Sequence, residues 1–445
     1  MKNPIIKRTL FIALVILFII ILNCVYKDFV TKYYSYMGFD YNNNLDTFNI
    51  FISWLLALLP ALWMPIKIRR PSQLIYIVFY LTIYIPPLFL MYNFRLPTLA
   101  PKDILILNIV LFFGIISLGL EYLLPLIKVK YHPIKKNIFI MVGSIISFIF
   151  IAYVITTQFQ NLHFATSISE IYQIRADYKT RLLNNSSSLT SYAISWIAYV
   201  IVPFLFSFGL FFKKKGLIFT GITVSLLIYA INGFKALLFL PVLIFVINYL
   251  IKRWKSEFSI MLVLGFSGLL LIPYLGTLFN FNENLMISII NVIPFRIFSV
   301  PAYILMEYYD FFTRFPPTYL SHVSIFSLFI KYPYQQYLSS LIPIFYNGYG
   351  SGANASAWAM DGLAGFGLFG IVIISIFMGL VFLILDSSAK IYRVEFVVLC
   401  IVPTVINVTS TSIFTNLFSG GLILIILLFL VIPQSNYFSK IFRNT

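Results

Sequence analysis

Charge is scarce in this chain. Only 10% of its residues are charged, and 14 acidic residues stand against 31 Lys and Arg. A folded chain of 445 residues with so little charge has no surface to offer water, which excludes a soluble fold. Cysteine is scarce too. Cys24 and Cys400 both sit in apolar runs and read as small buried residues. They form neither a disulfide framework nor a CxxC metal or redox motif. No P-loop, GxGxxG, HExxH or DxD pair is present, so nothing points to a nucleotide, a zinc ion or a metal-bound nucleotide sugar. There is no internal repeat and no inverted symmetry of broken helices, which weakens a transporter reading.

What is present is apolar length. Hydrophobic residues make up 60% of the chain, mean hydropathy is +0.94, and aromatics reach 18%, with 47 Phe and 30 Tyr. Runs of about 18 or more apolar residues predict an all-α polytopic membrane protein, packed as one membrane domain over 1–445. About twelve spans are expected, near 9–26, 48–66, 73–92, 103–125, 137–157, 190–211, 216–232, 236–251, 258–277, 362–385, 394–410 and 417–433. The first reads as a retained anchor, because no small-x-small cleavage site follows it.

The net charge of +17 belongs to orientation rather than to nucleic acid. Lys67, Arg69 and Arg70, then Lys128 to Lys136, Lys213 to Lys215, Lys252 to Lys255, Lys390 with Arg393, and Lys440 with Arg443 fall in alternate loops. Those loops are short and basic, as expected on the cytoplasmic side, which puts both termini there. The opposite side carries two long loops, 158–189 and 278–361. The second holds apolar runs interrupted by Pro294, Arg296, Pro301, Pro316, Pro317 and Pro333. It is too apolar for a free loop and too broken to span, which suggests backbone lying on or dipping into the membrane face.

Several charges on that side need a reason. In the first loop Arg175 and Lys179 share a helical face, and two like charges beside a membrane ask for an anion such as phosphate. Arg181 can pair with Asp177, a bland surface bridge. Lys235 tips the short turn Asn232-Gly-Phe-Lys235, where it could equally be snorkelling. Arg296 stands in Pro-Phe-Arg-Ile-Phe and must find an anion or reach water. Asp310 and Arg314 can pair at i, i+4, which leaves Glu307 freer. His163 and His322 could each act as a base, though a lone His is usually structural, and His132 falls in a basic loop. Asp361 falls where a carboxylate would suit the N-terminus of the tenth span, and Gly362, Gly367 and Gly370 suit close helix packing.

Together these features resemble the Wzy-type O-antigen and capsule repeat-unit polymerases of bacteria. The matching pieces are Tyr172-Gln-Ile-Arg175, the Asn232-Gly-Phe-Lys235 turn, Arg296 before Pro301, Asn354-Ala, and Asp361-Gly362-x-Ala-x-x-Gly367-x-x-Gly370, chiefly within 165–375. Ala236 departs from the small hydroxyl residue expected after the lysine. The resemblance implies a GT-C-like membrane glycosyltransferase with two large periplasmic loops, set in the bacterial inner membrane. It implies en bloc transfer of a glycan from undecaprenyl diphosphate to a new lipid-linked repeat unit, without a metal or other cofactor. A chain-length regulator and a flippase are the implied protein partners. The diphosphate would meet Arg175 and Arg296, supported by Arg181 and Lys235. Glu307, Asp310, His322 and Asp361 are the candidates for accepting the hydroxyl proton, with Tyr172, Asn354 and Gly362 in supporting motifs. An O-antigen ligase and a lipid-linked oligosaccharide flippase are the alternatives.

Overall fold

The computed structural model describes the chain except residues 1–2, 44, 96–98, 159–161, 165–169, 171–172, 176, 179–187, 349–354, 435 and 443–445. The described part is mostly helical. It has no strands, only isolated bridges pairing Phe39 with Phe94 and Tyr392 with Phe442. Eleven of its helices are long and apolar enough to cross a membrane. The protein is therefore an all-α, multi-pass membrane protein.

Ten of the expected spans coincide with helices of that length. Two do not. The span expected near 48–66 is a shorter helix, Thr47–Ala61, capped by Asp46 and followed by irregular chain. The span expected near 394–410 is two helices, Val394–Cys400 and Val402–Val408, broken at Ile401. Pro403 has no N–H to continue the ladder there. Cys400 is buried, but Cys24 lies exposed on the outside of the bundle, because its helix turns that flank away from the core.

The larger departure is in 278–361, where no span was expected. Residues Glu283–Arg314 form a continuous 32-residue helix. Asn282 starts it by accepting the Leu285 N–H at 2.8 Å. Its prolines do not break it. Pro294 sits inside a π-helical stretch, Asn291–Ser299, and Pro301 opens the next α-helical stretch. The Ser299 hydroxyl donates to the Pro294 carbonyl at 2.9 Å, so the irregular backbone is served from within.

The bundle has two unlike ends. At one, the short basic loops are tied together. Arg8 donates to the carbonyls of Ala61 and Met64 at 2.8 and 2.7 Å. Lys7 pairs with Glu257, Arg70 donates to the Leu124 carbonyl, and the His132 N–H bonds the Leu430 carbonyl. The Arg393 N–H bonds the Ile441 carbonyl. The other end carries the long loops. There Tyr26 bonds the Asp40 carbonyl, and Arg95 reaches both Asp40 and the Ser35 carbonyl.

The Glu283–Arg314 helix packs against this far end at several points. Near its start Met286 packs on Gly276. Phe295 stacks on Tyr34 with centroids 3.7 Å apart, and Tyr303 meets Phe39 and Phe94. Near its finish Asp310 bonds Tyr346. Phe298 reaches down to Phe18 and Phe266. It therefore contacts both the far-end loops and the interior of the bundle.

Candidate active site at the far end of the bundle

Three groups of chemically able side chains lie at this end. The first is on the Glu283–Arg314 helix. Arg296 is exposed, and its Nε donates to Asn291 Oδ1 at 3.3 Å. Asn291 in turn donates to the Tyr34 hydroxyl at 2.8 Å. Among the described residues no carboxylate pairs with Arg296, so its guanidinium keeps donors for a ligand. Four turns further on, Asp310 is spent. Its Oδ1 accepts from Arg314 at 2.6 Å and its Oδ2 from the Tyr346 hydroxyl at 2.5 Å. Glu307 is equally buried, at 2% exposure, but its Oε1 has no hydrogen-bond partner. Asn347 and Tyr303 lie beside its carboxyl. A buried carboxylate oxygen without a donor is costly unless something fills that role.

The second group centres on Asp361, in the π-helical turn Trp358–Leu363. Trp358 holds this turn in the core by donating to Ser375 Oγ at 2.7 Å and packing edge-on against Phe79. Asp361 does not serve the helix that follows it. It accepts from the Ser412 hydroxyl and from the Ile413 N–H, each at 2.6 Å, and so sits at the N-terminus of Ile413–Leu417. Ser412 also caps that helix by accepting from the Phe414 and Thr415 N–H groups. His322 completes the group, with Nε2 3.4 Å from Asp361 Oδ1. Its Nδ1 is 2.8 Å from Thr318 Oγ1, whose own proton goes to the Ala364 carbonyl. With its proton so placed, Thr318 accepts from Nδ1–H. A Ser, a His and an Asp meet here in the wrong order for a hydrolytic triad. The serine bonds the acid and is spent as a cap, so no serine–histidine bond activates a nucleophile.

These two groups adjoin. The buried Tyr308 hydroxyl lies within electrostatic range of both Glu307 and Asp361. Gly362 meets Gly370 across the same join, backbone against backbone, which is the packing role its neighbours suggested.

The third group comes from the first long loop. The Arg175 guanidinium lies over the Phe234 ring, 5.1 Å from its centroid, and Tyr178 meets the same ring edge-on. Phe234 is the residue before Lys235, which begins the helix Lys235–Arg253. The turn is set by Asn232, whose Oδ1 accepts the Phe234 N–H at 2.8 Å. The described part of the loop thus packs Arg175 and Tyr178 on Phe234, within the Asn232–Lys235 turn. Tyr172, Lys179, Arg181 and Asn354 lie outside the described residues. His163 Nε2 stands 4.0 Å from Glu170 on the exposed loop.

Ser412, Thr318, Tyr308 and Tyr346 were not singled out from the sequence. Thr318 stands four residues before His322, and that spacing could have marked it. Ser412 is 51 residues from Asp361 and carries no such signal. A second buried set, at the basic end, was also missed. The Ser72 hydroxyl meets Glu121 Oε1 at 3.1 Å and Asp386 Oδ2 at 2.7 Å. The chain matches no family model, no curated protein and no solved structure.

Proposed function

We propose that the chain is a membrane glycosyltransferase that joins polyprenyl-diphosphate-linked oligosaccharide repeat units into a longer glycan at the far end of the bundle. The observation that carries this reading is the unpartnered carboxylate oxygen of buried Glu307, on the same helix that presents the uncompensated guanidinium of Arg296. A transferase of this kind needs a proton acceptor for the attacking hydroxyl and fixed cations for diphosphates.

The spacing supports a division of roles. Glu307 and Arg296 are 11 residues apart, roughly 16 Å along a helix. That is too far for them to serve the two ends of one breaking bond. It suits the acceptor substrate, whose own diphosphate is separated from its reacting hydroxyl by the sugars of one repeat unit. Arg296 then anchors the acceptor diphosphate while Glu307 takes the hydroxyl proton. The hydroxyl oxygen bonds to the anomeric carbon of the donor glycan. The carbon–oxygen bond to the donor diphosphate breaks, and polyprenyl diphosphate leaves with the electron pair. Arg175 and Lys235 hold that leaving group, their charge strengthened by a water-poor setting. Such a reaction belongs at the outer face of a bacterial inner membrane, with the basic end in the cytoplasm.

Glu307→Gln and Asp310→Asn separate the two acids. In cells that make the polymer, Glu307→Gln at normal abundance should abolish the ladder of chain lengths. Asp310→Asn should loosen the protein, by about 1–3 kcal/mol for a lost charge-assisted bond, yet keep the ladder. A full ladder from Glu307→Gln would remove the basis of the assignment.

A lipid-linked oligosaccharide flippase is the second reading. The observation favouring it is the break of chain at Thr409–Ser412, between Val402–Val408 and Ile413–Leu417, beside Asp361. Interrupted helices of that kind line substrate paths in transporters. A flippase would move lipid-linked repeats between leaflets and leave their length unchanged.

A further inference from the structure

The basic end carries a cleft that the proposed reaction does not use. It has a volume of about 410 Å³ and is lined by Lys67, Ile68, Arg69, Lys255, Arg393, Val394 and Glu395. Four of these side chains are cationic and one is anionic. Glu395 is only 10% exposed and already pairs with Lys255, with Arg393 Nε 4.0 Å away. One carboxylate cannot balance four cations, so the cleft holds a surplus of positive charge.

An orientation signal does not require this arrangement. Orientation depends on how many Lys and Arg a loop carries, not on where they meet. Here three loops far apart in sequence bring their cations to one concavity, against their mutual repulsion. Ile68 and Val394, between these cations, are buried, so the cleft's lining is mainly polar. The rim is wet, with Lys255 and Arg393 each about half exposed. The loops also meet at a structural joint. Ser259 bonds the Pro65 carbonyl there, and the Arg393 N–H bonds the Ile441 carbonyl.

We propose that this cleft binds one phosphate group carried by an anionic molecule. Arginine offers paired donors to phosphate oxygens and lysine a compact charge, and both are present. A wet, cationic cleft at the basic end of a membrane protein, where the loops leave the apolar spans, suits the phosphate of an anionic phospholipid. A free phosphate compound presents the same chemistry. Its occupant would neutralise the surplus and close the joint between the early loop 62–71 and the late loop 389–393.

The test uses the full-length protein in detergent, with native mass spectrometry counting bound lipid. Phosphatidylglycerol and phosphatidylcholine are the lipid probes, and inorganic phosphate is the competitor. The double variant Lys67→Gln/Arg393→Gln is compared with Lys213→Gln/Lys215→Gln, which removes the same charge from another loop at the same end. The wild type should retain one phosphatidylglycerol in preference to phosphatidylcholine. The cleft variant should bind it roughly thirtyfold more weakly, as expected for losing two cations near the headgroup, and the loop variant should match the wild type. Lys67→Gln alone removes an exposed side chain and guards against misfolding of the double variant; it should show a smaller loss in the same direction. Displacement by inorganic phosphate would identify the group itself as sufficient, and persistence of the lipid would identify a lipid headgroup. Equal loss from both double variants would mean general attraction to a basic surface and would overturn the proposal, as would the absence of any retained anionic lipid.

Discussion

Asp310 and Glu307 stand three residues apart on one helix, and only their partners tell them apart. The i, i+4 spacing of Asp310 and Arg314 was legible in the sequence, and the bond is there. The Tyr346 hydroxyl that occupies the other oxygen was not legible, because it arrives from 36 residues away. Asp361 teaches the same lesson more strongly. Its position before an apolar run pointed to that run's N-terminus, yet it caps a helix far along the chain. Local spacing reveals local pairs; a carboxylate's distant donors depend on tertiary packing. Ser72 offers a residue-scale test of such packing. Its hydroxyl lies between two buried carboxylates, Glu121 and Asp386, and one Glu121 oxygen has no partner. Ser72→Ala should lower the thermal midpoint of the purified protein, with a loss of about 1–3 kcal/mol for stripping donors from buried acids. Glu121→Gln keeps an acceptor for Ser72 while removing one of two adjoining buried acids, and should leave the midpoint unchanged or raised. The opposite order would show that the acids do not depend on Ser72.

At the scale of elements, hydropathy located most helices because their apolar length exceeds what any turn interrupts. It failed where one proline decided the outcome. Pro403 ended a helix within an apolar run, whereas Pro294 and Pro301 did not stop Glu283–Arg314. The difference lies in the hydrogen bonds around each proline, and composition does not show these. The tight join between Trp358–Leu363 and Leu368–Ser388 is another element-scale feature. Gly367 there has φ +64°, ψ −150°, a conformation suited to glycine. A Cβ added at Gly370 would lie 1.9 Å from the Gly362 carbonyl oxygen, and backbone cannot yield as a side chain can. Gly370→Ala should therefore destabilise the protein by roughly 1–3 kcal/mol or more, seen as a lower melting midpoint in detergent. Gly143→Ala, where nothing lies within 4 Å, is the control that should not move it. If the two variants melted alike, the close approach would not matter to the fold.

For the whole molecule, the sequence already separated short basic loops from long mixed ones, and the structure gathers them at opposite ends. The two ends serve different chemistry in this account. Surplus positive charge at the basic end faces headgroups. Under the proposed function, buried Glu307 and exposed Arg296 at the far end would meet a lipid-linked substrate. The Wzy-type resemblance suggested the substrate class, and the proposed division of labour gives Glu307 the hydroxyl proton, Arg296 the acceptor diphosphate, and Arg175 with Lys235 the leaving group. The most direct measurement is reconstitution of the purified protein in vesicles with synthetic polyprenyl-diphosphate-linked repeat units, followed by separation of products by length. The account predicts stepwise elongation without nucleotide sugar, with release of polyprenyl diphosphate. Movement of the lipid-linked unit across the bilayer with no change in its length would contradict it.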